Sequence, residues 1–423
     1  MADGAPDFKA ETREKVAAMP VEALDPAQPA LFAADAMWPI FERLRDEDPV
    51  HFFNSPIAGP YWSVTRWAEI LAVETDHETF SSAQGIALIS LEAEANRREN
   101  ADQPGFIQMD PPRHDEQRKT VSPALAPQNL AHLAPLIRER AGKILDDLPI
   151  GAPFDWVDKV SIELTAMTLA TLLDFPQEDR RLLPYWSDVL INEPGHGPVT
   201  SWEQKHQAIA DLFNRFVALW NERVNAPPAS DLISMLAHSP ATRTMPLDEY
   251  CGNVMLLVVG GNDTTRNTIS GSILALNQHP DEYRKLRENP ALIPGMVSET
   301  IRWQTPVAHM ARTATRDVEL GGRTVKKGDK IVMWYVSGNR DPREIEAPES
   351  YRIDRERPRH HVSFGFGVHR CVGNRLAELQ LTIIWEEILK RFPRIELAGE
   401  PTRAHSFFLR GIEALPVVIP ARL

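Results

Sequence analysis

Cysteine is scarce in this sequence, because only Cys251 and Cys371 occur in 423 residues. Two cysteines are too few for a disulfide framework or for a zinc site built from four cysteines. A single cysteine could still have a special role, as a reactive or metal-binding thiol.

The sequence also lacks a long apolar run and an excess of positive charge. Residues 1–34 are rich in Pro and Ala and contain no apolar segment typical of a signal peptide or membrane anchor. The net charge of -13 argues against a basic surface for nucleic acid. We therefore expect a cytoplasmic protein with no membrane anchor and no nucleic-acid partner.

No Gly/Ser-rich or strongly charged linker divides the chain into halves. Hydrophobic residues make up 43% and charged residues 25%, which is enough to bury a large core. The 35 prolines interrupt many short elements. We predict an N-terminal extension over residues 1–35 and one mainly α-helical domain with small β-sheets over residues 36–423.

Apolar periodicity predicts the elements of the first half. Residues 39–45 have the pattern of a short amphipathic helix, and residues 51–53 and 61–64 alternate as strands do. Residues 124–225 are predominantly helical, with breaks expected at Pro153, at Pro184 and at residues 193–198.

The longest helical pattern runs from Pro246 to His279, which corresponds to about 50 Å of helix. Its middle is apolar on all sides, so this helix is expected to cross the core. Strands are predicted over residues 318–325 and 330–336, with a turn at residues 321–322. A final helix follows Cys371.

Residues 364–373 read Phe-Gly-Phe-Gly-Val-His-Arg-Cys-Val-Gly, which places Cys371 between a glycine-rich loop and the start of that helix. The N–H groups of a helix N-terminus lower the pKa of a cysteine, and glycines allow backbone to approach a large flat ligand. Two other interpretations remain open. Cys371 could be a small buried hydrophobic residue, or a zinc ligand together with His360, His361 and His369.

Residues 260–267, within the long helix, read Gly-Gly-Asn-Asp-Thr-Thr-Arg-Asn. Each glycine costs a helix about 1 kcal/mol relative to Ala, and Asp and Thr are unfavourable in a core unless paired. The segment lacks the Gly-Lys-Ser/Thr ending of a phosphate loop. It therefore marks either a functional site or a notch where another helix packs.

Both segments resemble motifs of the cytochromes P450. Residues 364–373 match Phe-Gly-x-Gly-x-His-x-Cys-x-Gly, the haem loop of that family, at every fixed position, and residues 260–265 are similar to its I-helix motif. The resemblance extends from about Pro39 to Val418. It implies a single-domain P450 fold with a long central I helix over the haem, and Cys371 as the thiolate ligand of the iron.

The resemblance implies a role for further residues. Asp263 and Thr264 would deliver protons during oxygen activation, in the space that Gly260 and Gly261 leave for O2. The cofactor would be haem b, held by the loop residues Phe364, Gly365 and Gly373. Haem propionates need cationic or hydrogen-bonding partners. The expected partners are His114 and Arg118 for one propionate, and Arg312 and His369 for the other.

Glu299 and Arg302 resemble the Glu-x-x-Arg pair that braces the haem loop in this family. The third member of that network is an Arg in a Pro-x-Arg-Phe stretch, and here Ser350 stands in its place. Arg352 and Arg355 are the two candidates for its role.

The resemblance to bacterial P450s also implies a separate electron supply, namely a ferredoxin and an NAD(P)H-dependent ferredoxin reductase. Basic residues near the haem-binding segments could form a docking patch for such a partner, or simply a solvated face. They are Arg113, Lys119, Arg370 and Arg375.

The substrate pocket is expected to be almost wholly apolar, which suits a hydrocarbon-like substrate. Its predicted lining consists of Ile86, Leu88, Ile89, Val189, Leu190, Leu256, Val259, Gly260, Ala308, Met310, Phe408 and Leu409. The sequence of residues 260–267 is most similar to the corresponding segment of bacterial alkane-hydroxylating P450s, which act on the terminal carbon of medium-chain alkanes. Alternatives are a terpene, a sterol side chain or a fatty acid as substrate. A haem-thiolate binding or sensing protein without turnover is a further alternative, against which Asp263 and Thr264 argue.

Overall fold

The computed structural model describes residues 8–99 and 103–423, and its fold is mainly helical with small sheets, as predicted. In this part of the chain helices α1 to α16 are Phe8–Ala18, Pro29–Ala33, Trp38–Glu47, Trp67–Thr75, Leu91–Glu99, Arg113–Val121, Pro127–Asp146, Ile162–Leu173, Leu182–Ile191, Trp202–Val224, Leu232–His238, Leu247–Gln278, Pro280–Glu288, Ile293–Gln304, Tyr335–Gly338 and Asn374–Arg391. Strands β1 to β12 are Val50–Ser55, Gly59–Val64, Phe80–Ser81, Phe154–Asp155, Met310–Ala314, Val318–Leu320, Arg323–Val325, Lys330–Met333, Glu396–Leu397, Thr402–Arg403, Ile412–Ala414 and Pro416–Val418.

Helix α12 is the predicted long helix and contains 32 residues. Acidic Asp248 and Glu249 lie in its first turn, where they complement the positive end of the helix dipole. Most of its side chains are buried, because α8, α9, α14 and α16 pack around it. The helix therefore brings residues 260–267 to the middle of the molecule.

The principal sheet has the strand order β1-β2-β8-β5-β3. Strands β1 and β2 form an antiparallel hairpin in which Val50 pairs with Val64, and β2 runs parallel to β8. Smaller sheets are β4-β12-β9, β10-β11 and β6-β7, and the last is the hairpin predicted around residues 321–322.

Buried apolar side chains form one large cluster around α12 and a second beneath the principal sheet. Phe32 and Trp334 stack in the second cluster, where Leu24 is also fully buried. The described part of the predicted N-terminal extension thus packs into the core. As a domain boundary, residue 35 stays a prediction.

Two predicted boundaries differ from the structure. Pro184 does not break a helix but lies in the first turn of α9, where the missing N–H of a proline leaves no helical hydrogen bond unmade. Strand β8 ends at Met333, and the short helix α15 follows it. Among the described residues, no helix combines the length and the apolar character that crossing a membrane requires.

Candidate functional site

Cys371 closes the glycine-rich loop directly before α16, and its N–H donates to the carbonyl oxygen of Phe364 at 2.8 Å. Its side chain is accessible but deeply placed, so burial raises the pKa of the thiol. The N–H groups of Gly373 and Asn374 and the charge of Arg118 lower this pKa. The helix N-terminus therefore lowers the pKa of Cys371, as predicted. The opposite effect of burial is larger, so the net pKa is raised.

The glycines of this loop have two different functions. Gly365 and Gly367 have φ angles of +62° and +64°, and a β-carbon at Gly367 would collide with the backbone carbonyl of Glu74. Both residues therefore serve the turn and its packing against α4. A β-carbon at Gly373, in contrast, would meet nothing within 4 Å. Of these three glycines, only Gly373 leaves the open space that was expected for a flat ligand.

The two histidines predicted to bind propionates lie together beside this loop. The rings of His114 and His369 are 4.2 Å apart between centroids. His114 Nδ1 contacts Asp115 Oδ1 at 2.7 Å, whereas His114 Nε2 and both ring nitrogens of His369 are buried and have no hydrogen-bond partner among the described residues. Buried polar atoms of this kind normally have a partner, so these three point to a bound polar group.

The two predicted arginines converge on the same place. Burial, together with the nearby charges of Arg312, His114 and Arg118, lowers the pKa of His369 to about 2. Arg118 donates to the carbonyl oxygen of Arg370, and Arg312 Nη2 lies 3.4 Å from a carboxylate oxygen of Glu74. The structure therefore brings all four side chains predicted to bind propionates into one cluster.

The zinc interpretation of the nearby histidines is wrong. His360 stacks on Trp67 with ring centroids 4.4 Å apart, and His361 packs against Phe364. Over residues 8–99 and 103–423, no three His, Cys, Asp or Glu side chains are grouped so that they could hold a metal ion by themselves.

Glu299 and Arg302 form the buried ion pair that was predicted. Two guanidinium nitrogens of Arg302 donate to the two oxygens of Glu299, both at 2.7 Å. Arg355 Nε donates to Glu299 Oε2 at 2.9 Å, while Arg352 contributes only its backbone N–H, at 2.8 Å from Glu299 Oε1. The side chain that joins this network in place of the missing arginine at Ser350 is therefore that of Arg355.

Gly260 and Gly261 have different environments in α12. A β-carbon at Gly260 would meet nothing within 4 Å, and this residue faces a cavity. A β-carbon at Gly261 would lie 2.8 Å from Leu169 Cδ1, so Gly261 admits the neighbouring helix α8. Both interpretations of the sequence thus apply: Gly260 leaves space for a ligand, and Gly261 is the packing notch.

Asp263 is fully buried within a polar network. Its carboxylate accepts a hydrogen bond from Ser187 and lies 2.9 Å from Arg266 Nη2, and Arg266 also pairs with Asp188. Burial raises the pKa of Asp263 to about 6, although the charge of Arg266 lowers it. Asp263 is therefore easier to protonate than an ordinary aspartate, and Arg266 connects it to the part-exposed Asp188.

Thr264, the next residue, lies at the cavity surface. Its hydroxyl donates to the carbonyl oxygen of Gly260 at 3.1 Å, which is one helical turn earlier. This hydrogen bond leaves the hydroxyl oxygen available as an acceptor toward the cavity.

The cavity beside Thr264 has a volume of about 770 Å³, within the range of small-molecule sites. Most of the predicted pocket residues line it, namely Ile86, Leu88, Ile89, Leu190, Leu256, Val259, Gly260, Met310, Phe408 and Leu409. Val189 and Ala308 do not. Val189 is buried against Val199 and Ala208, and Ala308 is buried in the cluster beneath the sheet. The structure therefore corrects the prediction at these two positions.

The expectation of an almost wholly apolar lining also needs correction. Charged and polar side chains reach the cavity from α10 and the segments beside it, and they include Glu193, His196, Lys205, His206 and His405. The three histidines are exposed, which places them at the mouth. Burial lowers the pKa of Lys205 to about 8. The cavity therefore has a polar mouth and an apolar interior.

Comparison with known proteins agrees with this geometry. Residues 150–407 match the family model described as Cytochrome P450. Linalool 8-monooxygenase of Pseudomonas putida is 36% identical, over 94% of this chain and 99% of the relative. The chain belongs to the cytochrome P450 family. The protein is accordingly a P450 monooxygenase, an oxidoreductase that uses haem and O2 with electrons from redox partners.

Two solved structures are also similar to this P450. Cytochrome P450-153 from Novosphingobium aromaticivorans is 41% identical, with a TM-score of 0.84, covering 94% of this chain and 99% of its own. CYP153D17 from Sphingomonas sp. is 42% identical, with a TM-score of 0.89, covering 95% and 100%. The P450 fold predicted from the sequence is thus confirmed.

The residues of this P450 fit haem. Cys371 supplies an accessible sulfur, and Gly373 leaves open space beside it. His114 and His369 present buried nitrogens that have no hydrogen-bond partner in the part of the chain that the structure describes. The only carboxylates paired with this cluster of two arginines and two histidines in the described ranges are Asp115 and Glu74. The cluster thus has capacity for further anionic groups such as propionates.

Only part of the predicted basic patch is free to contact a redox partner. Arg113 pairs with the buried carboxylate of Glu249, which leaves it less free for a partner. Lys119, Arg370 and Arg375 are exposed. Arg370 and Arg375 flank Cys371 and Lys119 lies on α6, whose Arg118 contacts Arg370.

Sequence reasoning missed several residues of this P450 site. Glu74 binds both Arg312 and Tyr335, but it lies 238 residues from Arg312 and no local pattern identifies it. Ser187 and Asp188 reach Asp263 and Arg266 from α9. Arg266, however, could have been found, because it follows Asp263 by three residues on the same helical face.

Proposed function

We propose that this P450 hydroxylates the terminal carbon of medium-chain alkanes and related aliphatic chains, giving primary alcohols. The observation that carries the proposal is the apolar interior of the cavity beside Thr264. Leu256, Val259 and Leu409 line it there. Apolar walls bind methylene groups through the hydrophobic effect. A hydrocarbon needs no polar side chain in the pocket to bind it. The resemblance of residues 260–267 to alkane-hydroxylating P450s supports the same substrate class.

The side chains have distinct roles in this proposal. Cys371 would hold the iron of haem b, while His114, Arg118, Arg312 and His369 would hold its propionates. The cofactor supplies activation of O2 for insertion of one oxygen atom into a C–H bond, with the second oxygen leaving as water.

Proton delivery is the role we assign to the polar network of α12. The Asp263 carboxylate would hold a proton and pass it toward the Thr264 hydroxyl, while Arg266, which stays charged, would position Asp263 and link it electrostatically to Asp188. The Asp263 pKa of about 6 suits an exchange of protons near neutral pH.

For electron supply we propose a ferredoxin and an NAD(P)H-dependent ferredoxin reductase, in the cytoplasm. The exposed Lys119, Arg370 and Arg375 would form the docking surface, which would suit a ferredoxin with an acidic face. Arg370 and Arg375 lie near Cys371 in the chain, so a partner bound there would be close to the iron ligand.

Two other substrates have support. Lys205 at the cavity mouth donates to the carbonyl oxygens of Leu190 and Asn192, and could bind the carboxylate of a fatty acid. A terpene is suggested by the name of the 36% identical linalool 8-monooxygenase. A sterol side chain would require the same apolar interior.

The test is a difference spectrum of the purified holoenzyme titrated with straight-chain alkanes, fatty acids and linalool, followed by product analysis with a supplied ferredoxin system. Each added methylene contributes about 0.8 kcal/mol on burial, so alkane affinity should rise roughly fourfold per carbon until the cavity is full. Octane and its neighbours should give mainly 1-alcohols. Binding and turnover of linalool without any response to alkanes would contradict the alkane proposal.

A further inference from the structure

A second cavity, of about 160 Å³, lies away from the substrate cavity. It is lined by residues at the start of α3, in the last turns of α12, at the end of α14, in the segment after α15, and in β10 with the segment that follows it. We call it the arginine pocket, because its principal lining residues are Arg340, Arg403, Arg410, Asp35, Trp38 and Trp303.

Positive charge exceeds negative charge in the arginine pocket. The side chains of Arg340, Arg403 and Arg410 are at most 9% exposed. Asp35 is their most enclosed carboxylate partner, 3.0 Å from Arg410 Nη2 and 3.5 Å from Arg403 Nη2. Glu349 pairs with Arg340, but its side chain is 54% exposed and lies at the rim.

Further groups around the pocket do not remove this excess. Lys9 Nζ lies 3.4 Å from Asp35 and adds a positive charge. The charge of Arg302 acts on Arg340, and that of Glu400 acts on Arg403. Gln278 and Gln304 complete the lining without charge.

Two of the arginines that line this pocket each have a guanidinium nitrogen without a partner among the described residues. Arg403 Nη1 and Arg410 Nε are buried and have no hydrogen-bond acceptor within the described part of the chain. Arg410 is held in place from its other side, since Nη1 donates to the carbonyl oxygens of Trp303 and Gln304 at 2.8 and 2.7 Å. A buried donor without an acceptor is costly, so these two nitrogens indicate a missing anionic acceptor.

Aromatic rings fix the third guanidinium. The Arg340 guanidinium lies 3.9 Å from the ring centroid of Trp38 and 4.1 Å from that of Trp303. Cation–π contacts of this kind hold the group in one orientation. Burial lowers the pKa of Arg340 to about 10, a cost that a nearby anion would relieve.

We propose that the arginine pocket binds a small free oxyanion of the size and charge of phosphate. Guanidinium groups match the oxygens of such an anion through paired N–H donors. Three buried arginines exclude a metal cation, and a volume of about 160 Å³ is too small for a nucleotide.

An anion in this pocket would also restrain the wall of the substrate cavity. Ser406, Phe407, Phe408 and Leu409 line the large cavity, whereas Arg403 and Arg410, at the two ends of that segment, line the arginine pocket. Bound phosphate would therefore fix both ends of a segment that lines the substrate cavity.

Isothermal titration calorimetry of the holoenzyme with inorganic phosphate, in chloride buffer at constant ionic strength, tests this proposal. We expect saturable binding with one phosphate per chain. Arg403→Gln should weaken the affinity about tenfold or more, because a hydrogen bond to a charged group is lost. The matched control Arg323→Gln changes an exposed arginine outside the pocket and should leave the affinity unchanged.

Asp35→Asn provides a test in the opposite direction. It removes the carboxylate that competes for Arg403 and Arg410, and Asn tolerates the φ of +53° at this position. Phosphate affinity should rise severalfold, and this variant decides the matter if Arg403→Gln does not fold. Absence of saturable binding to the wild type, equal binding by Arg403→Gln, or no gain in Asp35→Asn would each overturn the proposal.

Discussion

Arg355 Nε lies 2.9 Å from Glu299 Oε2, so a residue outside the Glu-x-x-Arg motif completes the ion pair of Glu299 and Arg302. The same guanidinium donates to the carbonyl oxygens of Glu346, Ala347 and Ser350. Arg355 therefore ties helix α14 to the segment that leads into the haem loop.

Replacing Arg355 should destabilise this region more than replacing Arg352. Arg355→Ala removes a charge-assisted hydrogen bond, and we expect the free energy of unfolding in urea to fall by about 1.5–3 kcal/mol, with faster loss of haem. In the control Arg352→Ala the backbone N–H to Glu299 is retained, so the loss should stay below about 1 kcal/mol. Equal losses in the two variants would refute the role assigned to the Arg355 side chain.

Cys371→Ala should abolish the absorption band of the reduced carbon monoxide complex that is typical of thiolate-ligated haem. Cys251→Ala is the matched control, because Cys251 is buried in the core and burial raises its pKa to about 11. Its variant should keep the band. Persistence of the band in Cys371→Ala would mean that another residue binds the iron.

Thr264→Ala should bind substrate normally but divert electrons from product into hydrogen peroxide. Removal of a proton relay lowers rates by about 10²–10⁴-fold, and Asp263→Asn should slow turnover for the same reason. Thr264→Ser retains the hydroxyl and should restore coupling. The ratio of alcohol formed to NAD(P)H consumed measures the effect, and wild-type ratios in both Thr264→Ala and Asp263→Asn would exclude these residues from proton delivery.

Leu256→Ala should shift the product of octane from the 1-alcohol toward the 2-alcohol. A terminal C–H bond is stronger than an internal one, so attack at the chain end requires walls that keep the methylenes away from the iron. Val189→Ala is the matched control, because Val189 lies outside the cavity. Gas chromatography of the alcohols gives the ratio, and the same shift in the control would show that general loosening is responsible.

The stabilising contribution of Glu387 should depend on pH. This carboxylate of α16 pairs with Arg138 of α7 and with Lys390 and Arg391, and hydrogen bonds from these cations lower its pKa to about 2 from an ordinary 4.5, although burial raises it. A lowered pKa in the folded state contributes stability above pH 4.5, which is lost as pH falls from there toward 2.

Glu387→Gln should therefore unfold more easily than the wild type at pH 7, and the gap should narrow below about pH 4.5. Urea unfolding at several pH values measures the gap. Glu386→Gln, which loses only a contact with Arg138, is the control and should show a smaller effect. A gap that does not change with pH would contradict this assignment.

Local patterns predicted those parts of this P450 whose residues are close to one another in the sequence. The Cys371 loop, helix α12 and the Glu299–Arg302 pair each lie within a short stretch, so their spacing predicts them. Glu74 and Ser187 join the site through tertiary packing, for which the sequence alone offers no spacing rule. Val189 and Ala308 illustrate the same limit, because an apolar residue near a pocket can face either the cavity or the core.

Gly252 and Gly260 of α12 differ in whether the structure tolerates a larger residue in their place. A β-carbon at Gly252 would collide with the backbone at Gln103, so a mutation there would separate two segments of the main chain. Gly260, two turns later, faces open space in the cavity. Sequence drift at Gly260 could therefore change the size of substrates that this P450 accepts, one methyl group at a time, while the fold remains intact.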